Sequence, residues 1–495
     1  MTRPSVYHLS LPHGQLIGQR LGIIALMLVM FTALAIPAQV NVGVRLDPEQ
    51  PGPAIPADFV GLSFEMQRVL PDTNGSYFFS PENRSLIATF KTLGIKNLRV
   101  GGNTADRPTL PVPSTADMDH LFAFAQAADV KVIYTLRLNQ GDPAAATQLA
   151  NYISRHYARQ LECFVIGNEP NVFSTNFDVY FNEWKRYAAQ ITAPDNSPAA
   201  RFCGPSVSPG HEKWSAQFAQ NLAAGGQIKF ISQHDYPGGD ARKATNAEAA
   251  RDKILSSAMD AHYAKFAANF MPSVISNCLT CRLEEANSFY DGGALDVSDT
   301  FASALWALNY QWWWAAHGVC GINFHTGDKV AARDENKPCR YATFWTTTNG
   351  FNIHPIGYAE KMFTLGSQGT IVAANLIPTE STNLNLAAYG LRGHDGNFYI
   401  TLINFGHGPS ATNYSVQLGV KSVDGYRDGE VLRLTAPQGE VASKSGVTLG
   451  SAEITDDAQW SGQWEKVFVP AQKLQFALTV DVPAASAALV KLTPK

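Results

Sequence analysis

Between about residues 58 and 365, short continuous apolar runs alternate with longer segments whose apolar positions recur at helical spacing. The runs are Phe59–Phe64, Asn97–Val100, Val130–Leu136, Leu161–Ile166, Ala200–Cys203, Ile228–Ser232, Cys278–Leu283 and Gly321–Phe324. Amphipathic segments such as Met118–Ala128 and Ala146–Arg159 lie between them. Strands that are apolar on both faces and separated by helices imply a parallel sheet with helical crossovers. Eight such units predict a (β/α)8 TIM barrel over residues 58–365. An open doubly wound sheet is the alternative, but no Gly-rich phosphate loop follows the first strand.

The pattern changes after Leu365. Runs such as Asn397–Leu402 and Gln475–Val480 alternate with period two between Gly, Asn, Asp and Pro clusters. This predicts a C-terminal antiparallel β-sandwich over residues 366–495. Val40–Leu46 also alternates, so segment 39–57 is expected to add a strand to that sandwich. Residues 1–38 read differently: Leu21–Ala35 is apolar, follows Arg3 and Arg20, and precedes small-residue sites at Ala33-Leu34-Ala35 and Ile36-Pro37-Ala38. That is the pattern of a secretory signal, with a secreted or periplasmic product, and an uncleaved anchor is the alternative. The run is shorter than the roughly 20 residues that a spanning helix needs.

Composition narrows the partners. A net charge of -4 over 495 residues gives no basic surface for nucleic acid and no electrostatic membrane attachment. Cys163 falls in a buried run, Cys278-x-x-Cys281 lacks a second pair at zinc spacing, and Cys320 with Cys339 could close a loop after the eighth strand.

Candidate chemistry sits at the strand ends, where a barrel builds its site. They carry Glu65, then Arg99 with Asn103 and Asp106, Arg137 with Asn139, Asn168-Glu169, His234-Asp235-Tyr236, Glu285 with Asn287 and Tyr290, and Asn323 with His325. Two carboxylates at separate strand ends are the minimum for glycoside hydrolysis. Bland readings exist for each. Asn168-Glu169-Pro170 could be a capped helix start, Arg99 a structural arginine, His234 a core histidine, and Trp312-Trp313-Trp314 helix packing.

Three segments carry a closer resemblance. Val165-Ile166-Gly167-Asn168-Glu169-Pro170-Asn171 resembles the acid/base motif of glycoside hydrolase family 79, the β-glucuronidase and heparanase family. Leu98-Arg99-Val100-Gly101-Gly102-Asn103 resembles its second-strand motif, and Glu285-Ala286-Asn287-Ser288-Phe289-Tyr290-Asp291-Gly292-Gly293 its nucleophile segment. Ala487–Leu492 is similar to the last strand of its sandwich. The resemblance implies a retaining enzyme with Glu169 as acid/base, Glu285 as nucleophile, Asn168 on the 2-hydroxyl and Tyr236 orienting Glu285. Glu284 is the rival nucleophile; adjacent strand residues should face opposite sides, and the family pattern selects Glu285.

Glu65 and Asn103 match glycone-binding positions, and Tyr290, Gly292 and Gly293 match a uronate-binding group. The tyrosine expected just after the eighth strand is missing. Lys329 could pair with a uronate instead, Asp328 would repel one, and Tyr341 could fold in from the following loop. The implied substrate is a β-glucuronide, with neither metal nor organic cofactor required. A neutral glycone (xyloside or glucoside) and a non-catalytic carbohydrate-binding barrel are the alternatives.

Overall fold

Eight parallel strands close into a barrel in the computed structural model: Val60–Glu65, Asn97–Gly101, Lys131–Leu136, Leu161–Ile166, Phe202–Val207, Ile228–Asp235, Cys281–Ala286 and Val319–His325. The structure describes residues 39–222, 226–330, 337–378, 384–409, 411–469, 476 and 478–495. The expected signal, residues 1–38, lies outside them. Among the described residues no helix is long and apolar enough to cross a membrane.

Sequence periodicity located every barrel strand, several ends shift by one or two residues, and three strands move in ways that bear on the site. The fifth strand begins at Phe202 and runs through Gly204-Pro205 to Val207, although that dipeptide reads as a breaker. The sixth continues to Asp235, so His234 and Asp235 are strand residues. The seventh spans Cys281–Ala286 rather than Cys278–Leu283, which places both Glu284 and Glu285 inside the strand. Local signals set the helices between them. Asn83 caps Arg84–Leu93, which stops at left-handed Gly94. Ser114 and Asp117 form a reciprocal capping box on Thr115–Ala128.

A ten-stranded sheet packs beside the barrel. It is mixed rather than purely antiparallel. Gln39–Ala54 enters between Gly369–Pro378, to which it is antiparallel, and Asn413–Val420, to which it is parallel. One face shares a core with the barrel helices through Leu391, Leu432 and Leu489. The other encloses its own core of Val42, Val44, Ile400, Val416, Val480 and Val490. Helix Phe301–Ala316 is buried nearly throughout, and Trp312 fits between Phe363 and the sheet residue Tyr389. The tryptophan triplet is packing.

All six cysteines are free. Cys320 stands at the start of the eighth barrel strand, while Cys339 follows that strand's opposite end and packs with Tyr236 and Tyr341. The strand's length separates them, so the expected loop-closing pair does not form.

Candidate active site

The C-terminal strand ends surround a cavity of about 510 Å³. Glu65, Asn103, Glu169, Tyr236, Glu285, Tyr290, Gly292 and Lys329 all line it. Asn168 lies just beneath, buried. Tyr341 reaches the wall from the long loop after the eighth strand, its ring 6.2 Å from that of Tyr236 and 6.0 Å from that of His325. Asp328 points away, pairing with Arg68 at 3.1 Å and with the Thr346 hydroxyl at 2.9 Å.

Glu285 is held by three elements. The guanidinium of fully buried Arg99 donates to its Oε2 at 2.7 Å, and the Tyr236 hydroxyl to its Oε1 at 2.8 Å. His325 Nδ1 is 3.9 Å from Oε2 and 3.0 Å from the Ser63 hydroxyl. Burial pushes the Glu285 carboxyl up, but His325, His234, Arg99 and the Tyr236 hydroxyl outweigh it and hold it well below the ordinary range. It is poised as an anion.

Glu169 is placed differently. Gly167 and Glu169 both take left-handed conformations, φ +85° and +46°, and turn the chain sharply over the strand end. For a glutamate that conformation is costly and must be held by its surroundings. Buried Asp106 accepts from the backbone N–H groups of Asn168 at 2.5 Å, Leu138 at 2.6 Å and Asn139 at 2.8 Å. The N–H of Glu169 donates to the Ser206 carbonyl at 2.9 Å. The helix-start reading fails: Pro170–Val172 is a short 3-10 turn without a side-chain cap, and the Asn168 amide oxygen accepts from Arg99 at 2.6 Å instead.

His234 joins the two carboxylates. Its Nδ1 is 3.0 Å from Glu169 Oε1 and 3.9 Å from Glu285 Oε1. Burial lowers its pKa, but Glu285, Glu169 and Glu284 overcome this and raise it to about 9. One carboxylate oxygen of Glu169, one of Glu285 and a His234 ring nitrogen lie within 4.8 Å of one another. Among the described residues this trio is also the one cluster close enough to hold a metal ion.

The opposite-face expectation for Glu284 and Glu285 needs correction. Pairing to the eighth strand shifts register between Leu283 and Ala286, and pairing to the sixth between Ser232 and His234. Such an irregularity redirects a side chain. Both carboxylates therefore reach the interior: Glu285 at the cavity, and Glu284 fully buried below it.

At the cavity edge, Glu65 Oε2 accepts from the N–H of Thr104 at 2.8 Å and its hydroxyl at 2.6 Å. Sequence reasoning missed Ser206, because Gly204-Pro205 ended the fifth strand early. It also left His234 undecided, because a single histidine in an apolar run carries no signal of its neighbours.

The model of the glycosyl hydrolase family 79 C-terminal beta domain matches residues 388–489. A beta-glucuronidase of Neurospora crassa is 23% identical over 191 residues, covering 34% of each chain. The alignment thus spans about a third of that relative's length. Among solved structures, a 4-O-alpha-L-rhamnosyl-beta-D-glucuronidase from Fusarium oxysporum superposes with TM-score 0.68 at 18% identity, covering 92% of this chain and 100% of that one. An arabinofuranosidase of family 51 from Xanthomonas axonopodis pv. citri gives 0.66 at 18% identity with the same coverage. At these identities the likeness carries the fold alone.

Proposed function

We propose that this chain, whose residues 388–489 match the glycosyl hydrolase family 79 C-terminal beta domain, is an exported retaining β-glycosidase of that family that hydrolyses terminal β-linked glucuronic acid. The supporting observation is the close approach of Glu169 and Glu285, with oxygens within 4.8 Å. Retaining enzymes hold their carboxyl groups about 5–5.5 Å apart, whereas inverting ones need room for water between them.

In this reading ionised Glu285 attacks the anomeric carbon while protonated Glu169 delivers its proton to the leaving oxygen. Glu285 then carries the glycosyl ester and no charge. Glu169, now a carboxylate, takes a proton from water, whose oxygen displaces Glu285 from the anomeric carbon. Arg99 holds both Glu285 and Asn168, so the nucleophilic carboxylate and the amide meeting the sugar's 2-hydroxyl share one anchor. Tyr236 fixes the other oxygen of Glu285. Glu65 and Asn103 take glycone hydroxyls. Lys329, Tyr290, Gly292 and Tyr341 form the uronate side, with Tyr341 standing in for the tyrosine absent after the eighth strand.

Initial rates on matched aryl β-glucuronide, β-glucoside, β-xyloside and β-galactoside test this. The expected result is preference for the glucuronide, with Lys329→Met raising its KM about 10-fold or more and leaving neutral substrates unchanged. Preference for a neutral sugar would remove the uronate assignment and keep the two-glutamate chemistry. Absence of turnover on all four would remove both.

A further inference from the structure

Glu284 is a fully buried carboxylate beneath the cavity that the double displacement does not use. Its Oε1 accepts from the Ser206 hydroxyl, which also meets the Ser232 hydroxyl at 2.8 Å. The Cys203 thiol is 3.5 Å from Oε2, and His234 Nε2 lies 3.6 Å from Oε1. Among the described residues that nitrogen has no hydrogen-bond acceptor, while Nδ1 of the same ring meets Glu169. The imidazole thus stands between the hidden carboxylate and the acid/base.

We propose that Glu284 is a positioning residue that acts through His234 to keep the transferable proton of Glu169 on the oxygen facing the substrate. The proposal rests on the reading of Glu169 as acid/base. A neutral imidazole has one lone pair, and at Nδ1 it would accept the proton that Glu169 must give to the leaving group. An imidazolium has none: both nitrogens donate. With Glu284 anionic behind Nε2, the ring donates to Glu169 Oε1, and the acid's proton is left on the other oxygen.

The charges agree with this arrangement through the cycle. Before attack, Arg99 and His234 face anionic Glu284 and Glu285, His325 stands beside them opposite Glu65 at 3.7 Å, and Glu169 is neutral. In the glycosyl-enzyme Glu285 is an ester and Glu169 is anionic, so two cations again face two anions. Without Glu284 either state would bury an excess cation, and His234 is the group able to shed it.

The groups facing this pair come from several elements. Arg99 approaches from the second strand, Glu169 from the turn after the fourth, Cys203 and Ser206 from the fifth, Glu285 from the seventh, and Tyr180 from the helix Phe177–Ile191. Burial raises the Glu284 carboxyl, but His234, Arg99 and Ser206 outweigh it and keep it below the ordinary range.

Nitrogen NMR of histidine-labelled enzyme between pH 6 and 10 tests the link without substrate. The expected result is a His234 ring protonated on both nitrogens at pH 7, with a midpoint raised above the ordinary histidine value by Glu285 and Glu284. Glu284→Gln should lower that midpoint by more than about one pH unit. Glu284→Gln should also lower kcat/KM about 100-fold on alkyl glycosides but less than about threefold on activated aryl glycosides, as loss of acid assistance does. Glu284→Asp should restore part of the loss.

A neutral wild-type His234 at pH 7 overturns the proposal even if the variant fails to fold. So does an unmoved midpoint, or equal loss on both substrates. Glu169→Gln run in parallel separates the two readings. If it shows the leaving-group split and Glu284→Gln does not, Glu284 is merely structural. If it shows no split, the acid/base assignment of Glu169 falls, and with it the proposal.

Discussion

Two arginines are buried inside the same barrel, one at each end, and they end on different kinds of partner. Arg282, at the base, donates to the Asn323 amide at 2.7 Å and to the Asp58 carbonyl at 2.8 Å. Its one carboxylate, Asp58 at 3.4 Å, keeps 30% of its side chain in solvent. Arg99, at the mouth, ends on Glu285, Asn168 and Ser63, all buried. Each lies across a glycine: a Cβ at Gly321 would come within 2.2 Å of Arg282, and one at Gly101 within 2.4 Å of Arg99. The space for a guanidinium is built the same way twice. At the base its charge rests on fixed dipoles and a wetted carboxylate. At the mouth it rests on two fixed dipoles and a buried carboxylate whose charge must change during turnover.

The two ends should therefore respond differently to neutralising their carboxylates. Glu285→Gln is expected to lower kcat/KM at least about 10⁴-fold, the cost of losing a nucleophile. Asp58→Asn should change it less than about threefold. A comparable loss from Asp58→Asn would break the distinction. Next in size, Glu169→Gln should cost about 10²–10⁴-fold on poor leaving groups and under about 10-fold on activated aryl glycosides. Equal loss on both would sink the role division at the mouth.

The base was the more legible end. Apolar runs located all eight strands, because a strand buried on both faces has to be apolar along its length. At the mouth, short motifs placed Asn168, Glu169 and Glu285 at strand ends, and the structure brings the two glutamates to the cavity with Asn168 buried beneath. That end was illegible where placement depends on neighbours far along the chain. The register shifts that turn Glu284 and Glu285 into one interior have no local sequence mark. Gly204-Pro205 hid Ser206. Tyr341 was named as able to fold in but was left beside Lys329 as an alternative, because no periodicity encodes the path of its loop. The parallel pairing of Gln39–Ala54 with Asn413–Val420 was hidden too, since alternation predicts a strand and not its partner.

Lysine substitution sharpens the comparison, because an ammonium keeps the charge and loses the fork. Arg99→Lys can reach Glu285 or Asn168 but not both, so kcat/KM should fall about 100-fold while the fold survives. Arg282→Lys leaves buried carbonyls without donors. It should cost about 1–3 kcal/mol of stability, read as a lower denaturation midpoint, with kcat/KM within about threefold. The distinction breaks if Arg282→Lys loses activity as steeply as Arg99→Lys.

The smallest effect concerns pH, and its sign is fixed by His234. Its pKa is raised from 6.5 to about 9 in the folded protein. A group so raised contributes stability that is complete below pH 6.5 and disappears as pH rises through about 9. Glu285 and Glu284 act on the acid side: both are held below the ordinary carboxylate range, so their stabilisation is present above it and is lost only as pH falls through their lowered values. No histidine joins the Arg282 bonds at the base. Thermal unfolding at pH 6.5 and 9.5 should therefore show an alkaline loss that His234→Gln reduces and Arg282→Lys retains in full. If His234→Gln keeps the full alkaline loss, the mouth is not held by an imidazolium. The two buried arginines would then differ in their partners, but not in how their surroundings answer to protons.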